Sequence, residues 1–421
     1  MKRLLIITLA MLAMASCTQQ KGEIVLYNDT LIHRVGEMVE VDAATIPVEE
    51  GEYLVIRDAE GEQVPYQITH DGKLIFQADV KAGDKVCYTV GTSRIAPKFQ
   101  TYACGRVYPE RVDDVAWESD LIAYRAYGPA LQKSGERAFG YDVWVKNNTD
   151  LPVVEERYAK ELNPETKARI ASLRESGDVA AADSLAASVS YHNDHGNGFD
   201  AYKVGPTLGG GATALLGEYK LWQGTEKIYY PYCWAVCEIL DNGPLRFTAR
   251  LTYNPVEVEG RVLTEVRTIS LDKGSFLNKT TVVYNGEESD EDLDVMAGIV
   301  LHEEKPRTLI NDEKHYVTYA EPVEAPDGGE LYQAMYFPNG WQYAQNRYWR
   351  RGDDEPAGTY GHLAAYVEPA VGEPVTYYWG ALWSHSTLVN VTSKEKFDKM
   401  MAKVVDADSE PLEVSVSLYE K

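Results

Sequence analysis

The chain has 421 residues, which is long enough for two domains or for one large β domain with a small companion. Its formal net charge of −24, from 41 Lys and Arg against 65 Asp and Glu, argues against nucleic acid and anionic membrane surfaces as partners, since both demand a basic surface. Binding of an anionic substrate would then require Arg and Lys side chains clustered at the site. With 29 Tyr and 8 Trp against 8 Phe, most aromatic rings carry a hydrogen-bonding group at one edge. Such rings suit sugar binding, and they also suit any β-rich surface.

The N-terminal residues have the layout of a secretory signal. Residues 1–17 read MKRLLIITLAMLAMASC, in which Lys2 and Arg3 precede an apolar run too short to span a bilayer. The end of this run resembles a bacterial lipobox, which implies cleavage before Cys17 and lipid attachment to it. Residues 18–22 are then a tether. We therefore expect a protein held in the bacterial cell envelope, in the periplasm or at the outer-membrane surface, by its lipid alone.

Residues 23–100 predict a small β-sandwich domain. Short apolar runs such as GEIVLYN, GKLIFQADV and GDKVCYTVG are separated by turn residues, and this spacing is typical of short strands. The segment contains no Trp, which favours a supporting or docking function over carbohydrate binding.

Residues 101–421 predict a large antiparallel β-sandwich. Long alternating runs joined by tight turns, among them PLRFTARLTYNP and RVLTEVRTISLDKGS, are typical of antiparallel strands. One helical insertion interrupts them at about residues 160–188. There Asn163 fits an N-cap, Pro164 fits the first helical position and Gly177 ends the helix. The predicted fold class is therefore all-β with a short helical insertion.

The segment YHNDHGNGFDAYKVGPTLGGGA, residues 191–212, concentrates titratable side chains and glycines. Glycines permit positive φ angles and close backbone approach, so the segment predicts a loop that presents reactive groups. A surface loop rich in turn residues is the alternative. The candidate residues are His192, Asp194, His195, Asp200, Tyr202 and Lys203.

A metal site at His192, Asp194 and His195 is a further alternative. Their spacing is not a helical i, i+4 pair, and no third His follows nearby. The four cysteines beyond residue 17 form no CxxC motif. We therefore expect neither a metal nor another cofactor.

Arg125 and Tyr127 lie two residues apart in a predicted strand and therefore share one face. A guanidinium beside a phenol is a receptor for a carboxylate, because Arg can bind both oxygens. The alternative is an arginine paired with acids that are close in sequence, namely Glu110, Asp113, Asp114, Glu118 or Asp120.

The last third of the chain carries further candidates for contact with a sugar. Trp349 and Trp383 offer faces for stacking, although at least one Trp of this region is expected in the core. Arg350 lies in the charged loop YWRRGDDEPAGTYGH, and His302 follows the predicted strand AGIVL. We predict substrate contacts for all four, with an ordinary strand-end histidine as the alternative for His302.

Three segments, AWESDLIAYRAYGPAL, YHNDHGNGFDAYKVGPTLGGGA and YYWGALWS, resemble a family of secreted bacterial proteins known as a domain of unknown function and associated with polysaccharide degradation. The resemblance implies the large antiparallel super-sandwich of galactose mutarotase-like proteins and several polysaccharide lyases. It also implies lyase or dehydratase chemistry on uronic-acid oligosaccharides, because one relative is of that type.

Elimination beside a uronate carboxylate needs a group that neutralises the carboxylate, a base and an acid. In this interpretation Arg125 clamps the carboxylate and His192 is the base. Tyr202 or Tyr127 is the acid, and Lys203 lowers the pKa of the phenol.

Other chemistries stay open. A glycoside hydrolase would need two carboxylates across a cleft, for which Asp194 with Asp200, or Glu118 with Asp120, are the candidates; otherwise Asp194 and Asp200 are predicted to contact substrate. A mutarotase-like enzyme and a non-catalytic glycan-binding lipoprotein are the remaining alternatives.

Overall fold

The computed structural model describes residues 19–147, 152–219, 222–323, 325, 328–350, 352–353 and 355–419. Within these residues the chain forms two compact units. The smaller contains residues 19–66, 72–99 and 412–419, and the larger contains residues 67–71 and 100–411. The predicted lipidation residue Cys17 lies outside the described residues. In the described part of the chain, no helix has the length and apolar character needed to cross a bilayer.

The first part of the chain is formed by short strands, with a 3₁₀ turn at Ala43–Thr45. The strands are β1 (Gln19–Asn28), β2 (Arg34–Asp42), β3 (Tyr53–Arg57), β4 (Tyr66–Ile68), β5 (Lys73–Val80) and β6 (Asp84–Ser93).

Strands and helices then alternate, with a 3₁₀ turn at Pro109–Arg111. The elements are β7 (Cys104–Tyr108), β8 (Asp114–Glu118), β9 (Ile122–Ala126), α1 (Pro129–Ser134), β10 (Tyr141–Lys146), α2 (Val153–Glu161), α3 (Pro164–Glu175), α4 (Val179–Val189) and β11 (Gly198–Asp200).

The remainder is a series of strands with one helix near its end. The elements are β12 (Gly210–Tyr219), β13 (Trp222–Tyr229), β14 (Trp234–Gly243), β15 (Arg246–Tyr253), β16 (Val256–Val258), β17 (Arg261–Asp272), β18 (Leu277–Asn285), β19 (Val295–Leu301), β20 (Arg307–Asn311), β21 (Tyr316–Pro322), β22 (Glu330–Tyr336), β23 (Tyr343–Tyr348), β24 (Gly361–Val367), β25 (Val375–Trp383), α5 (Lys394–Ser409) and β26 (Glu413–Leu418).

The smaller unit is a sandwich with a four-stranded sheet in the order β26-β1-β6-β3 and with β2 paired to β5. Its core is formed by alternate residues of these strands, including Ile24, Leu26, Ile56 and Phe76. Two boundaries differ from the prediction. Residues 19–22, predicted as a tether, belong to β1, and β26, assigned to the large domain, pairs antiparallel with β1. Pairing between strands almost 400 residues apart leaves no local signal in the sequence.

The larger unit contains three antiparallel sheets. Their orders are β11-β10-β9-β8-β7, β13-β12-β19-β24-β23 and β14-β15-β17-β18-β25-β22-β21-β20, with β16 paired to β17 at the side of the last. One hydrophobic core joins them, in which the ring of Trp379 stacks on that of Tyr141 at 4.1 Å between centroids. The predicted all-β fold with large antiparallel sheets is confirmed.

The glycine run at residues 209–211 supports packing in this core. Gly209 has a φ of 56°, and a Cβ there would lie 2.2 Å from the carbonyl oxygen of Tyr141. Gly211 has a φ of 134°, and its Cβ would lie 2.8 Å from that of Trp379. These glycines are therefore needed for close approach of strands, and they do not belong to a flexible loop that presents reactive groups.

Helix α2 covers the outer face of the β7–β11 sheet. Glu118, at the end of β8, accepts hydrogen bonds from the backbone N–H groups of Val153 and Val154 at 2.8 and 3.2 Å, and from Lys146 Nζ at 2.6 Å. Glu118 therefore caps the first turn of α2, where backbone donors otherwise lack partners. Its predicted alternative role as a hydrolase carboxylate does not fit this buried position.

The helical insertion contains α2, α3 and α4, and Asn163 caps α3 as predicted by accepting from two backbone N–H groups. The prediction of a single helical stretch was wrong, because α5 follows β25. Phe397, Met401 and Val405 of α5 recur every four residues and are buried. This helical spacing was present in the sequence.

Candidate functional site

The outer face of the β7–β11 sheet brings an arginine and two aspartates together. Asp142 on β10 lies directly opposite Arg125 on β9, and Asp200 on β11 lies opposite Trp144 on β10. Cross-strand partners share a face, and residues two apart on one strand share it as well. The sheet register therefore places Arg125, Asp142 and Asp200 on one surface, beneath α2.

Arg125 is the centre of a buried group of polar side chains, here called the Arg125 network. Its Nη2 donates to Oδ2 of Asp142 and, at 2.8 Å, to Oδ2 of Asp200. Its Nη1 donates to the hydroxyl of Tyr158 on α2 at 2.9 Å. The members of the network are Arg125, Asp142, Asp200, Asp114, Tyr127 and Tyr158.

This geometry does not fit the prediction that Arg125 clamps a substrate carboxylate. The side chain is almost fully buried, and its two Nη groups are engaged by two protein carboxylates and by the phenol of Tyr158. Of the neighbouring acids that the sequence suggested as partners, Asp114 lies with its Oδ2 3.9 Å from Nη1 of Arg125, whereas Asp120 accepts from the backbone N–H of Gly274 at 2.6 Å. Arg125 therefore acts as the organiser of the network.

Burial raises the pKa values of the network carboxylates. It raises the pKa of Asp142 to about 7, against the opposing effect of Arg125, and the charge of Asp200 raises it further. It raises the pKa of Asp114 to about 6, although Arg125 and Arg111 lower it. The pKa of Asp200 is also raised by burial. One buried arginine thus faces three carboxyl groups. Burial and the repulsion between neighbouring carboxylates disfavour the state in which all three are ionised.

We expect the pKa of Asp114 to make the network less stable as the pH rises. The folded state holds this proton up to a pH of about 6, whereas the unfolded chain releases it near 3.8. A raised carboxyl pKa means that stability falls with pH through this window. Urea unfolding of the wild type and of the Asp114→Asn variant, at pH values of about 4 and about 7.5, should show the variant gaining stability relative to wild type at the higher pH. An unchanged difference between the two proteins would contradict this prediction.

His192 lies at the edge of the network and is exposed to solvent. Its Nδ1 is 3.5 Å from Oδ2 of Asp200, and its ring lies against that of Tyr191 at 4.3 Å between centroids. Burial of part of the ring and the charge of Arg125 lower the pKa of His192 below 6.5. Among the described residues, none forms a hydrogen bond with Nε2. The lowered pKa favours the neutral imidazole, and the Nδ1 side of the ring faces the carboxylate of Asp200.

Arg111 is a cation beside His192 that the sequence analysis missed. Its Nε donates to the hydroxyl of Tyr191 at 3.1 Å, and its Nη1 lies 3.9 Å from Oδ2 of Asp114. Its side chain is 21% exposed, and its charge contributes to the lowered pKa of His192. It resides in a 3₁₀ turn before β8, where nothing in the local sequence distinguishes it from other surface arginines.

The predicted proton donors are buried. Tyr127 accepts from Arg125 at 3.4 Å and donates to Oδ2 of Asp142 at 3.2 Å. Burial raises the pKa values of both Tyr127 and Tyr202 well above 10. The lowered phenol pKa that was predicted beside Lys203 is therefore found at neither tyrosine. The side chain of Lys203 is exposed.

His302 was predicted to contact substrate, but both of its ring nitrogens face protein acceptors. Nδ1 lies 2.7 Å from Oε2 of Glu321, and Nε2 lies 3.0 Å from the carbonyl oxygen of Lys203. The ring of Tyr202 meets that of His302 edge-on at 5.4 Å. His302 therefore anchors the segment around Tyr202 and Lys203 to β21, and this role replaces the predicted one.

Asp194 and His195 stabilise the turn that follows α4. Oδ1 of Asp194 accepts from the backbone N–H of Gly196 at 2.8 Å, and Nε2 of His195 lies 2.9 Å from the carbonyl oxygen of Ser190. In the described ranges no three His, Cys, Asp or Glu side chains are grouped as metal ligands would be. The substrate contact predicted for Asp194 does not follow from this turn.

The predicted sugar-stacking residues differ in exposure. Trp383 is buried, and its Nε1 donates to the carbonyl oxygen of Gly328 at 2.7 Å, so it belongs to the core. Trp349 is half-buried, with its Nε1 on Thr359 and its ring against His362. Arg350 is exposed, and its Nη1 lies 3.6 Å from Glu226. The structure does not bring these residues to His192.

A cavity of about 840 Å³ was not anticipated from the sequence. Its aromatic lining comes from the segment before β10, from the ends of β13 and β15, and from residues between β13 and β14. The rings are those of Phe139, Tyr229, Tyr230, Tyr232 and Tyr253. Pro231, in the segment IYYPYC between β13 and β14, cannot donate to a strand ladder and is the sequence signal that could have marked this wall.

The sequence model of a family described as a domain of unknown function, DUF4861, matches residues 26–414. An uncharacterized protein of Formosa agariphila is 26% identical over 322 residues, which cover 75% of this chain and 70% of its own. The predicted resemblance to a domain of unknown function is thus confirmed.

Two solved structures from Enterococcus faecalis match the chain at low similarity. One, a protein in glycosyl hydrolase family 38, has a TM-score of 0.47 at 8% identity and matches over 94% of this chain and 47% of its own. The other, an alpha-mannosidase, has a TM-score of 0.46 at 9% identity, with 94% and 46% covered. This chain spans about half the length of each. Because the family match extends over most of the chain, the protein belongs to the DUF4861 family.

Proposed function

We propose that the protein is an enzyme that processes uronic-acid-containing oligosaccharides by β-elimination or dehydration, with His192 as the base. The observation that carries this proposal is the contact between Nδ1 of His192 and the buried carboxylate of Asp200, at 3.5 Å. A base whose second nitrogen is oriented by a carboxylate is the arrangement that proton abstraction needs. The lowered pKa of His192, caused by burial of part of the ring and by the charge of Arg125, favours the unprotonated form that a base requires.

Arg111 takes the role that the sequence assigned to Arg125. Abstraction of the proton next to a uronate carboxylate builds negative charge on that carboxylate, and a nearby cation stabilises it. Arg111 is partly exposed and adjacent to His192, whereas Arg125 is enclosed. The hydroxyl of Tyr191, whose side chain is buried, accepts from Nε of Arg111 and holds the guanidinium in place.

Mass spectrometry of unsaturated uronate oligosaccharides incubated with the protein tests this function. Loss of one water, or cleavage of the chain without addition of water, is the expected result. Cleavage with addition of water would instead indicate a glycoside hydrolase. Unchanged masses across the panel would overturn the proposed enzyme.

The aromatic cavity favours a second candidate, a non-catalytic glycan-binding protein. Rings with a polar edge bind sugars through their faces and through hydrogen bonds. The same assay distinguishes the two functions. A binding protein leaves every mass unchanged but shows saturable binding to a glycan, which is measured in parallel.

We also propose that the mature protein is attached to the bacterial cell envelope through lipid on Cys17. The support is the lipobox-like sequence at residues 14–17, and a lipidated protein needs two acyl chains for stable anchoring. The Cys17→Ala variant should incorporate no labelled fatty acid and should leave the membrane fraction or stay unprocessed. Labelling of that variant at the wild-type level would exclude this anchor.

A further inference from the structure

The aromatic cavity combines a buried polar floor with ring-lined walls. Its volume of about 840 Å³ lies within the range of about 300–1,000 Å³ found for small-molecule sites. Phe139 stacks on Tyr230 with 5.0 Å between centroids and meets the ring of Tyr232 edge-on, also at 5.0 Å. Tyr232 is exposed and has a φ of 24°, an uncommon conformation for a bulky residue.

Glu265 provides an acceptor at the floor of the cavity. The residue is 5% exposed and lines the cavity, and its Oε1 accepts from Arg267 Nε at 2.6 Å and from Thr213 Oγ1 at 2.7 Å. These two donors fix the plane of the carboxylate. Its second oxygen, Oε2, forms no hydrogen bond with the described part of the chain, so the floor presents one unused acceptor.

Tyr253 provides a donor beside it. Its hydroxyl accepts from Nη1 of Arg267 at 3.1 Å and therefore retains its own hydrogen for another partner. Arg267 is fully buried and also binds the hydroxyl of Tyr141 at 3.0 Å and the carbonyl oxygen of Thr213 at 2.9 Å. One buried arginine thus holds both floor groups in place.

The charges of the lining select what reaches the floor. A carboxylate there would face Glu265, whereas a sugar hydroxyl can both donate to Glu265 and accept from Tyr253. The lining includes the exposed residues Arg137, Glu136 and Glu257 and the partly exposed Lys227, which carry charges of both signs. The floor therefore suits a neutral ring with hydroxyl groups.

We propose that this cavity binds a neutral pyranose residue of an oligosaccharide, with one hydroxyl between Glu265 and Tyr253 and with the sugar face against Tyr232. This inference concerns binding and does not depend on proton transfer at His192. Acidic sugars at the floor and a purely apolar ligand are the competing occupants.

Isothermal titration calorimetry tests the proposal with neutral gluco-, galacto- and mannooligosaccharides and with oligogalacturonates as the acidic probe. We expect saturable binding of at least one neutral oligosaccharide. Tyr253→Phe keeps the ring and removes one hydroxyl, so it should weaken binding about 3- to 10-fold. Tyr232→Ala should weaken binding by a similar factor while leaving the contacts of Arg267 intact.

Tyr360→Ala is the matched control, because Tyr360 is exposed and does not line the cavity. It should bind as the wild type does, and so should His192→Ala, which separates this inference from the proposed catalysis. Circular dichroism establishes that each variant is folded. Absence of binding to every neutral probe, binding of oligogalacturonates alone, or wild-type affinity of a folded Tyr232→Ala variant would overturn the proposal.

Discussion

Replacing His192 with alanine is expected to lower the turnover of an unsaturated uronate oligosaccharide by roughly 10²–10⁴-fold, with little change in KM. The variant removes the base, while Asp200 and Arg125 keep their mutual contact. In the wild type, turnover should fall as the pH is lowered through a value below 6.5, because the pKa of His192 is lowered and the base must be unprotonated. Initial rates across pH, measured by mass spectrometry or by the change in ultraviolet absorbance, provide the test.

His195 provides the matched control for His192. It is an exposed histidine three residues away, and its ring contacts a backbone carbonyl oxygen. His195→Ala should therefore retain turnover within a small factor of wild type. Equal losses in both variants, or full turnover of a folded His192→Ala variant, would refute a base at His192.

Replacing Arg125 with alanine is expected to lower the free energy of unfolding by about 3–5 kcal/mol. The substitution leaves Asp142 and Asp200 buried without their shared cation, and the hydroxyl of Tyr158 loses its donor. Removing one partner of a buried charge pair is costly, because the remaining charge cannot be solvated. Urea unfolding followed by circular dichroism measures the effect.

Arg106 is the control for this variant. Its guanidinium lies at the surface and pairs with Glu110 and Glu155 at 2.7 Å. Arg106→Ala should change the free energy of unfolding by no more than about 1 kcal/mol, as is usual for exposed ion pairs. If Arg125→Ala were as stable as Arg106→Ala, the network would not organise this face of the sheet. Retained stability with weaker binding of acidic substrates alone would restore the carboxylate-clamp interpretation.

Local patterns in the sequence predicted those parts of the fold that depend on neighbouring residues. Alternating apolar residues mark strands such as β17, because one face is buried and the other solvated. The start of α3 at Pro164 and the left-handed Gly177 after it follow from capping chemistry that involves a few residues. The apolar residues of helix α5 also recur at helical spacing, so this helix could have been predicted from the sequence.

The composition of the 191–212 segment identified His192 and Asp200 as candidates, but their relation required the strand register. Asp142 lies 17 residues from Arg125 and Asp200 lies 75 residues from it, and only the pairing of β9, β10 and β11 brings them to one arginine. The same pairing decided that Arg125 is enclosed and that Arg111 is the partly exposed cation.

The aromatic cavity was even less predictable from the sequence than the Arg125 network. Glu265, Tyr253 and Phe139 come from separate strands and loops, and each has an ordinary sequence environment. The sequence by itself determined which residues can bury an apolar face and which segments can turn, because these properties arise from near neighbours. Only the tertiary structure decided which charges are enclosed, which side chains share a surface and where space remains for a ligand, because these depend on pairings between distant segments that alternating hydrophobicity does not encode.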